Sequence, residues 1–198
     1  MLCKSYLIEQ DIKKIKEDLF LFYGENLGLK NDFKKKIRIE SKEKEVLIFD
    51  QDQLINNENL LLNELRNISL FKKNKIFFIN NVNDKLMNLV ETLDQEKITD
   101  KIFFFSGILD KKSKLRNHFE KSKKCGVSPC YADNEASIKK IILNSLRDFQ
   151  NLNTVNINLI VENVGNDRIK LNNELQKITS LFEDRKLDTE KLVLLLDP

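Results

Sequence analysis

Short runs of unbroken apolar residues punctuate the first two-thirds of the chain: Leu19-Phe20-Leu21-Phe22-Tyr23, Val46-Leu47-Ile48-Phe49, Ile76-Phe77-Phe78-Ile79 and Ile102-Phe103-Phe104-Phe105. Each is rich in β-branched and aromatic types and runs into a polar turn. Segments that are apolar on both faces are expected of parallel strands covered by helices above and below. The intervals between them read as helices. Leu61, Leu62, Leu65 and Ile68 form one stripe at helical spacing, and Leu86, Leu89, Val90 and Leu93 form another. Ile8, Ile12 and Ile15 predict an amphipathic helix ahead of the first strand, and a last short strand is expected near Val127. This alternation predicts a doubly wound α/β domain of about five parallel strands. It spans residues 1–133.

After Tyr131 the pattern becomes helical only. Ile138, Ile141, Ile142, Leu146 and Phe149 share a face, and Ile157, Ile160, Val161 and Val164 follow, with a turn at Gly165-Asn166. Leu171, Leu175, Ile178 and Phe182 make a third stripe, and Asp188 is placed to cap a final helix carrying Leu192 and Leu195. Residues 134–198 are thus expected to form a small all-helical domain, packed as a lid on the first.

Composition agrees with a folded domain: 41% hydrophobic and 33% charged residues, with only 5 Gly and 2 Pro among 198. The net charge of +3 is uneven, since residues 141–198 hold 7 basic and 9 acidic side chains. Lys34-Lys35-Lys36 and the group Lys111, Lys112, Lys114 and Arg116 are candidate phosphate contacts, with a solvated surface as the plainer reading. The N-terminus reads as no signal peptide, no run approaches the ~20 apolar residues of a membrane span, and a cytoplasmic location is expected. Three cysteines, at 3, 125 and 130, fit a reducing compartment. Cys125, Cys130 and His118 invite a zinc reading, but their spacing is wrong for the usual pairs and a fourth ligand is missing, so no metal is expected.

The turn after the first strand, Gly24-Glu25-Asn26-Leu27-Gly28-Leu29-Lys30-Asn31, invites comparison with a phosphate loop. A working loop needs glycines whose backbone N–H groups wrap phosphate, a lysine directly after the second glycine, and then a hydroxyl residue for magnesium. Here Gly24 and Gly28 are too close, Lys30 is displaced from Gly28, and Asn31 replaces the hydroxyl. The carboxylate that should follow the strand Ile76–Ile79 is replaced by Asn80-Asn81, and Asp84 reads as a cap for the next helix. The expectation is a retained fold without nucleotide or other cofactor. A divergent ATPase or kinase is the alternative.

Several stretches resemble the delta subunit of the bacterial DNA polymerase III clamp loader. Phe20-Leu21-Phe22-Tyr23-Gly24-Glu25 is similar to its opening strand and turn, and Asn67-Ile68-Ser69-Leu70-Phe71-Lys72-Lys73 resembles its Ser-Leu-Phe element. Lys101 to Gly107 is similar to its next strand. Gly165-Asn166-Asp167-Arg168 and Lys186-Leu187-Asp188 resemble turns of its lid. The Ser-Arg-Cys segment of the sister subunits is absent.

The resemblance implies an AAA+-like α/β domain with a degenerate nucleotide site, a helical lid, and no catalysis by this chain. It implies that Leu70 and Phe71, with Ser69 setting the turn, insert into a pocket of the β sliding clamp and help open it. The implied partners are that clamp, the delta-prime and gamma/tau subunits, and primer-template DNA through the assembled complex, whose polymerase activity belongs to the holoenzyme. The family continues into a helical collar, which is expected to be missing from a chain that stops at Pro198. Other readings are a nucleotide-dependent enzyme and a free-standing DNA-binding module.

Overall fold

The four apolar runs and the short strand near Val127 form one five-stranded parallel sheet. The computed structural model describes residues 2–57, 59–66, 74–96 and 98–196. The strands are β1 (Leu19–Tyr23), β2 (Glu45–Asp50), β3 (Lys75–Val82), β4 (Lys101–Ser106) and β5 (Cys125–Pro129). From β1 the chain crosses to the edge strand β2, returns through β3 and β4, and then passes to β5 on the other side of β1. Leu2 forms a parallel bridge with Val127, on the outer side of β5.

Period-two alternation explains why the strands are apolar throughout. Leu19, Leu21, Tyr23, Phe77, Ile79, Ile102 and Phe104 join one buried cluster. Leu54 of α3 (Gln51–Asn56), Leu61 of α4 (Asn59–Arg66), Val90 and Leu93 of α5 (Met87–Gln95), and Leu115 and Phe119 of α6 (Lys114–Lys121) complete it. Phe20, Phe22, Phe78, Phe103 and Phe105 are buried in the alternate positions. There Phe22 stacks on Phe33 of α2 (Leu27–Glu40), centroids 4.8 Å apart, and on Phe105 at 5.3 Å. Burying each such ring contributes about 1.5–3 kcal/mol, so the sheet needs cover on both faces.

The predicted first helix is shorter than its stripe suggested. Helix α1 (Ser5–Gln10) stops at Asp11, whose backbone is extended and whose side chain accepts from Lys13 N, restarting the chain as a 3-10 turn over Ile12–Lys14. The α4 stripe was expected to reach Ile68, which lies outside the described residues.

The chain divides into two compact units, residues 1–25 with 30–131, and residues 26–29 with 132–198. The second contains α7 (Glu135–Ser145), α8 (Thr154–Val164), α9 (Arg168–Leu181) and α10 (Thr189–Leu196). Their stripes meet in one cluster that includes Ile138, Ile142, Leu146, Ile160, Leu171, Ile178 and Leu192. Gly165 ends α8 with φ of 56°, and Asp188 accepts from Lys191 N at the start of α10. Among the described residues no helix is long and apolar enough to cross a membrane.

Candidate functional site

Strand β1 ends in a turn that only glycine can make. Gly24 has φ of +131°, and a Cβ there would lie 2.3 Å from the Cys130 carbonyl oxygen. Its N–H donates to Gly107 O at 2.9 Å, while Cys130 N donates to Tyr23 O at 2.6 Å. The carboxyl end of β1 is thereby tied to β4 and β5 at the point where the strand order changes direction, the usual ligand position of open α/β sheets.

Gly28 has a different reason for being glycine. It lies within α2, and a Cβ there would stand 2.5 Å from Arg168 Cβ within the helical unit. Arg168 pairs there with Asp133 at 3.1 Å, both side chains almost fully buried. Asp133 also accepts from Asn26 Nδ2 at 2.7 Å and Ser137 Oγ at 2.7 Å. Asn26 in turn accepts from Leu29 N at 2.9 Å and caps α2. Gly28 is therefore a packing glycine.

That changes the register of the loop. Counted from Gly24, the second glycine of a phosphate loop falls at Leu29, the lysine at Lys30 and the hydroxyl at Asn31. Lys30 is thus not displaced: it stands at the phosphate-lysine position, and the substitutions are Leu29 and Asn31. Its ammonium donates to Gly24 O at 2.8 Å and Ser106 O at 2.6 Å, with the residue only 7% exposed. Burial lowers its pKa from the ordinary lysine value, against smaller opposing contributions from Cys130 and Glu25.

One helical turn on, Lys34 Nζ donates to Asn80 Oδ1 at 2.6 Å and lies 4.4 Å from the Phe105 ring. Its pKa is lowered by burial first, then by Lys30 and Arg38. Asn81, with φ of 57°, donates to Asp50 Oδ1 at 2.9 Å. The amides that stand where a magnesium carboxylate belongs therefore serve Lys34 and Asp50. Asp84 is a cap, but not for the helix next in sequence. Asn83 caps that turn by accepting from Lys85 N. Asp84 instead accepts from Ser113 Oγ at 2.6 Å, Leu115 N at 3.0 Å and Lys114 N at 3.1 Å at the start of α6.

Ser69, Leu70 and Phe71 lie outside the described residues. Of the basic groups, Lys36 donates to Glu9 O at 2.5 Å and Arg116 pairs with Glu120 at 2.8 Å, so both are held by their own fold. His118 and Cys125 do come together, with Asp94 as the third member of the group and Cys130 outside it. Sequence reading missed the Lys34–Asn80 pair, and the register of Lys30 was recoverable by counting from Gly24.

No protein-family model matches the sequence. No curated protein matches it either. Solved structures do. A DNA clamp loader delta protein of Bacillus subtilis aligns over 92% of this chain and 59% of its own length, with a TM-score of 0.61 and 15% identity. The RuvB Holliday junction branch migration motor of Thermotoga maritima aligns over 98% of this chain and 66% of its own, at 0.56 and 12%. A Trip13 protein of Rhizobiales aligns over 97% and 80%, at 0.53 and 10%. The chain thus spans less than two-thirds of the delta and RuvB proteins. At these identities the likeness is one of fold: the chain has an AAA+-like α/β architecture, a five-stranded parallel sheet flanked by helices.

Proposed function

We propose that this chain is the delta-type subunit of a bacterial clamp loader, which grips a sliding clamp and carries out no nucleotide chemistry of its own. One observation carries the reading: a phosphate-loop lysine whose ammonium is taken up by two backbone carbonyls, with an amide at the hydroxyl position. The fold likeness to a clamp loader delta protein supports the same choice among AAA+-like functions. Leu70 and Phe71 are the proposed anchors for a pocket on the clamp, positioned by Ser69. Two buried apolar anchors of about 1.5–3 kcal/mol each are sufficient to dominate an interface of this kind. Opening the ring then draws on tighter binding to its open form. Partner loader subunits bring ATP hydrolysis and contact with primer-template DNA.

The test is capture of the β sliding clamp from the same organism by this chain without nucleotide. Retention of stoichiometric clamp is expected, and no retention at micromolar concentrations of both proteins contradicts the reading.

A divergent ATPase is favoured by one feature, the correct register of Gly24 and Lys30. Titration with a fluorescent ATP analogue and magnesium separates the two. The clamp reading expects no saturable site, and micromolar affinity lost in Lys30→Met contradicts it in favour of a nucleotide-binding enzyme.

A further inference from the structure

A second group of polar side chains lies away from the loop after β1, and nothing in clamp binding uses it. Asp94 sits in the last turn of α5, His118 in the middle of α6, and Cys125 opens β5. The Asp94 carboxylate reaches both others: Oδ2 is 3.1 Å from His118 Nε2, and Oδ1 is 3.5 Å from Cys125 Sγ. The three ligand atoms all lie within 4.8 Å of one another.

We propose that Asp94, His118 and Cys125 bind a divalent transition-metal ion, zinc by preference, with the fourth coordination position open.

The spacing fits. Tetrahedral zinc with bonds of about 2.0–2.3 Å sets neighbouring ligand atoms about 3.3–3.6 Å apart, so small side-chain rotations close the group around an ion. The donor set fits as well. One thiolate, one imidazole and one carboxylate suit zinc over magnesium or calcium, and their combined charge of about −2 balances the ion. His118 carries the independent sign. Its Nε2 is buried without a hydrogen-bond partner among the described residues, although Asp94 Oδ2 is 3.1 Å away. The contact has a hydrogen bond's length without its direction. An imidazole nitrogen so placed is available as a metal donor. The His118 and Asp94 side chains are 21% and 19% exposed, leaving a route from solvent, while Cys125 closes the site from within. A metal there would staple α5, α6 and β5 together.

The rival is a simple His118–Asp94 ion pair over a core cysteine. Cobalt(II), titrated into the tag-free, chelator-treated chain, decides between them, with zinc as competitor. The expected result is binding of one ion per chain, a near-ultraviolet thiolate-to-cobalt band, and visible bands of tetrahedral strength. Cys125→Ser should abolish the thiolate band, and Cys3→Ser should leave it intact. His118→Gln, which leaves the core untouched and so tests the site even if Cys125→Ser folds poorly, should weaken binding at least about tenfold. Zinc at a hundredfold excess over its Kd should raise the Tm of the wild type by roughly 5–10 °C, and much less in His118→Gln. Failure to bind one ion at micromolar metal overturns the proposal. So does a thiolate band that survives Cys125→Ser, or a weak octahedral cobalt spectrum.

Discussion

Lysines lie buried or half-buried at both ends of the sheet, and the most buried at each end, Lys75 and Lys30, are partnered differently. At the amino ends, Lys75 meets a carboxylate: its Nζ lies 2.9 Å from Glu64 Oε2 and donates to Glu64 O as well, while its backbone N–H donates to Asp100 Oδ1 at 2.7 Å. Neighbouring Lys101 donates to the carbonyls of Lys16 and Glu17, with Asp18 at 4.0 Å. At the carboxyl ends, Lys30 meets two carbonyls and Lys34 meets one amide. Among the described residues neither of these two makes an ion pair with a carboxylate. A cation paired to a carboxylate is a finished structural contact. A cation held by neutral dipoles keeps the desolvation penalty without a paired carboxylate, and burial lowers the pKa of Lys30 and Lys34, as it does that of Lys101, which likewise donates to carbonyls. In a working phosphate loop the counter-charge is the phosphate itself.

The most damaging way to break this contrast is at the turn that shapes the carboxyl end. Gly24→Ala puts a Cβ 2.3 Å from Cys130 O at a φ of +131°. It should destabilise the α/β unit by about 3 kcal/mol or more in urea unfolding. A loss under about 1 kcal/mol would mean that the turn relaxes freely and does not fix Lys30.

At the amino end, Glu64→Gln should remove the carboxylate and leave the buried Lys75 beside an amide, the kind of partner that half-buried Lys34 has natively. Lys75's side chain is 8% exposed and Glu64's 34%, so solvent softens the loss. About 1–2 kcal/mol is expected in the same unfolding measurement, and no change would show that Lys75 needs no counter-charge.

Asp84→Ala should cost about 1 kcal/mol by uncapping α6. The Ser113 hydroxyl, followed by the N–H groups of Leu115 and Lys114, holds the Asp84 carboxyl below the ordinary aspartate range. Its contribution is therefore complete above about pH 4 and disappears as the pH falls through the lowered folded value, so wild type and variant should converge in acid. A gap that persists in acid would assign the effect to packing.

The smallest effect is the sharpest test of the lysine contrast. Folded Lys30 releases its proton below the ordinary lysine pKa, so the unfolded chain binds more protons between the two values. Wild-type stability should rise with pH across that interval relative to Lys30→Met, and parallel pH profiles would contradict the assignment.

How much of this was legible in the sequence follows from the range of the forces involved. The strands were, because residues such as Phe20 and Phe22 are apolar on both faces for a local reason, the cover above and below. Helix α3 was not, since Gln51–Asn56 offers only Leu54 and Ile55 as a stripe, although Gln53 Oε1 accepting from Asp50 N is a local capping signal. The loop was half legible. Asn31 and Asn80 showed the missing chemistry, but Gly28 was read as a loop glycine because its real reason, Arg168, lies far along the chain. The Asp94–His118–Cys125 group needed the same kind of knowledge: His118 and Cys125 were noticed, while Asp94 arrives from another helix.

The central claim is that Leu70 and Phe71 grip a sliding clamp without help from nucleotide. Its most direct test is an equilibrium titration of the purified clamp with the wild-type chain and with the double variant Leu70→Ala/Phe71→Ala, each with a thermal melt and each repeated with ATP and magnesium. The account predicts nucleotide-independent binding by the wild type, about a hundredfold or greater loss in the double variant, and a Tm that barely moves. Clamp binding that survives the double substitution, or that appears only with ATP, would contradict it.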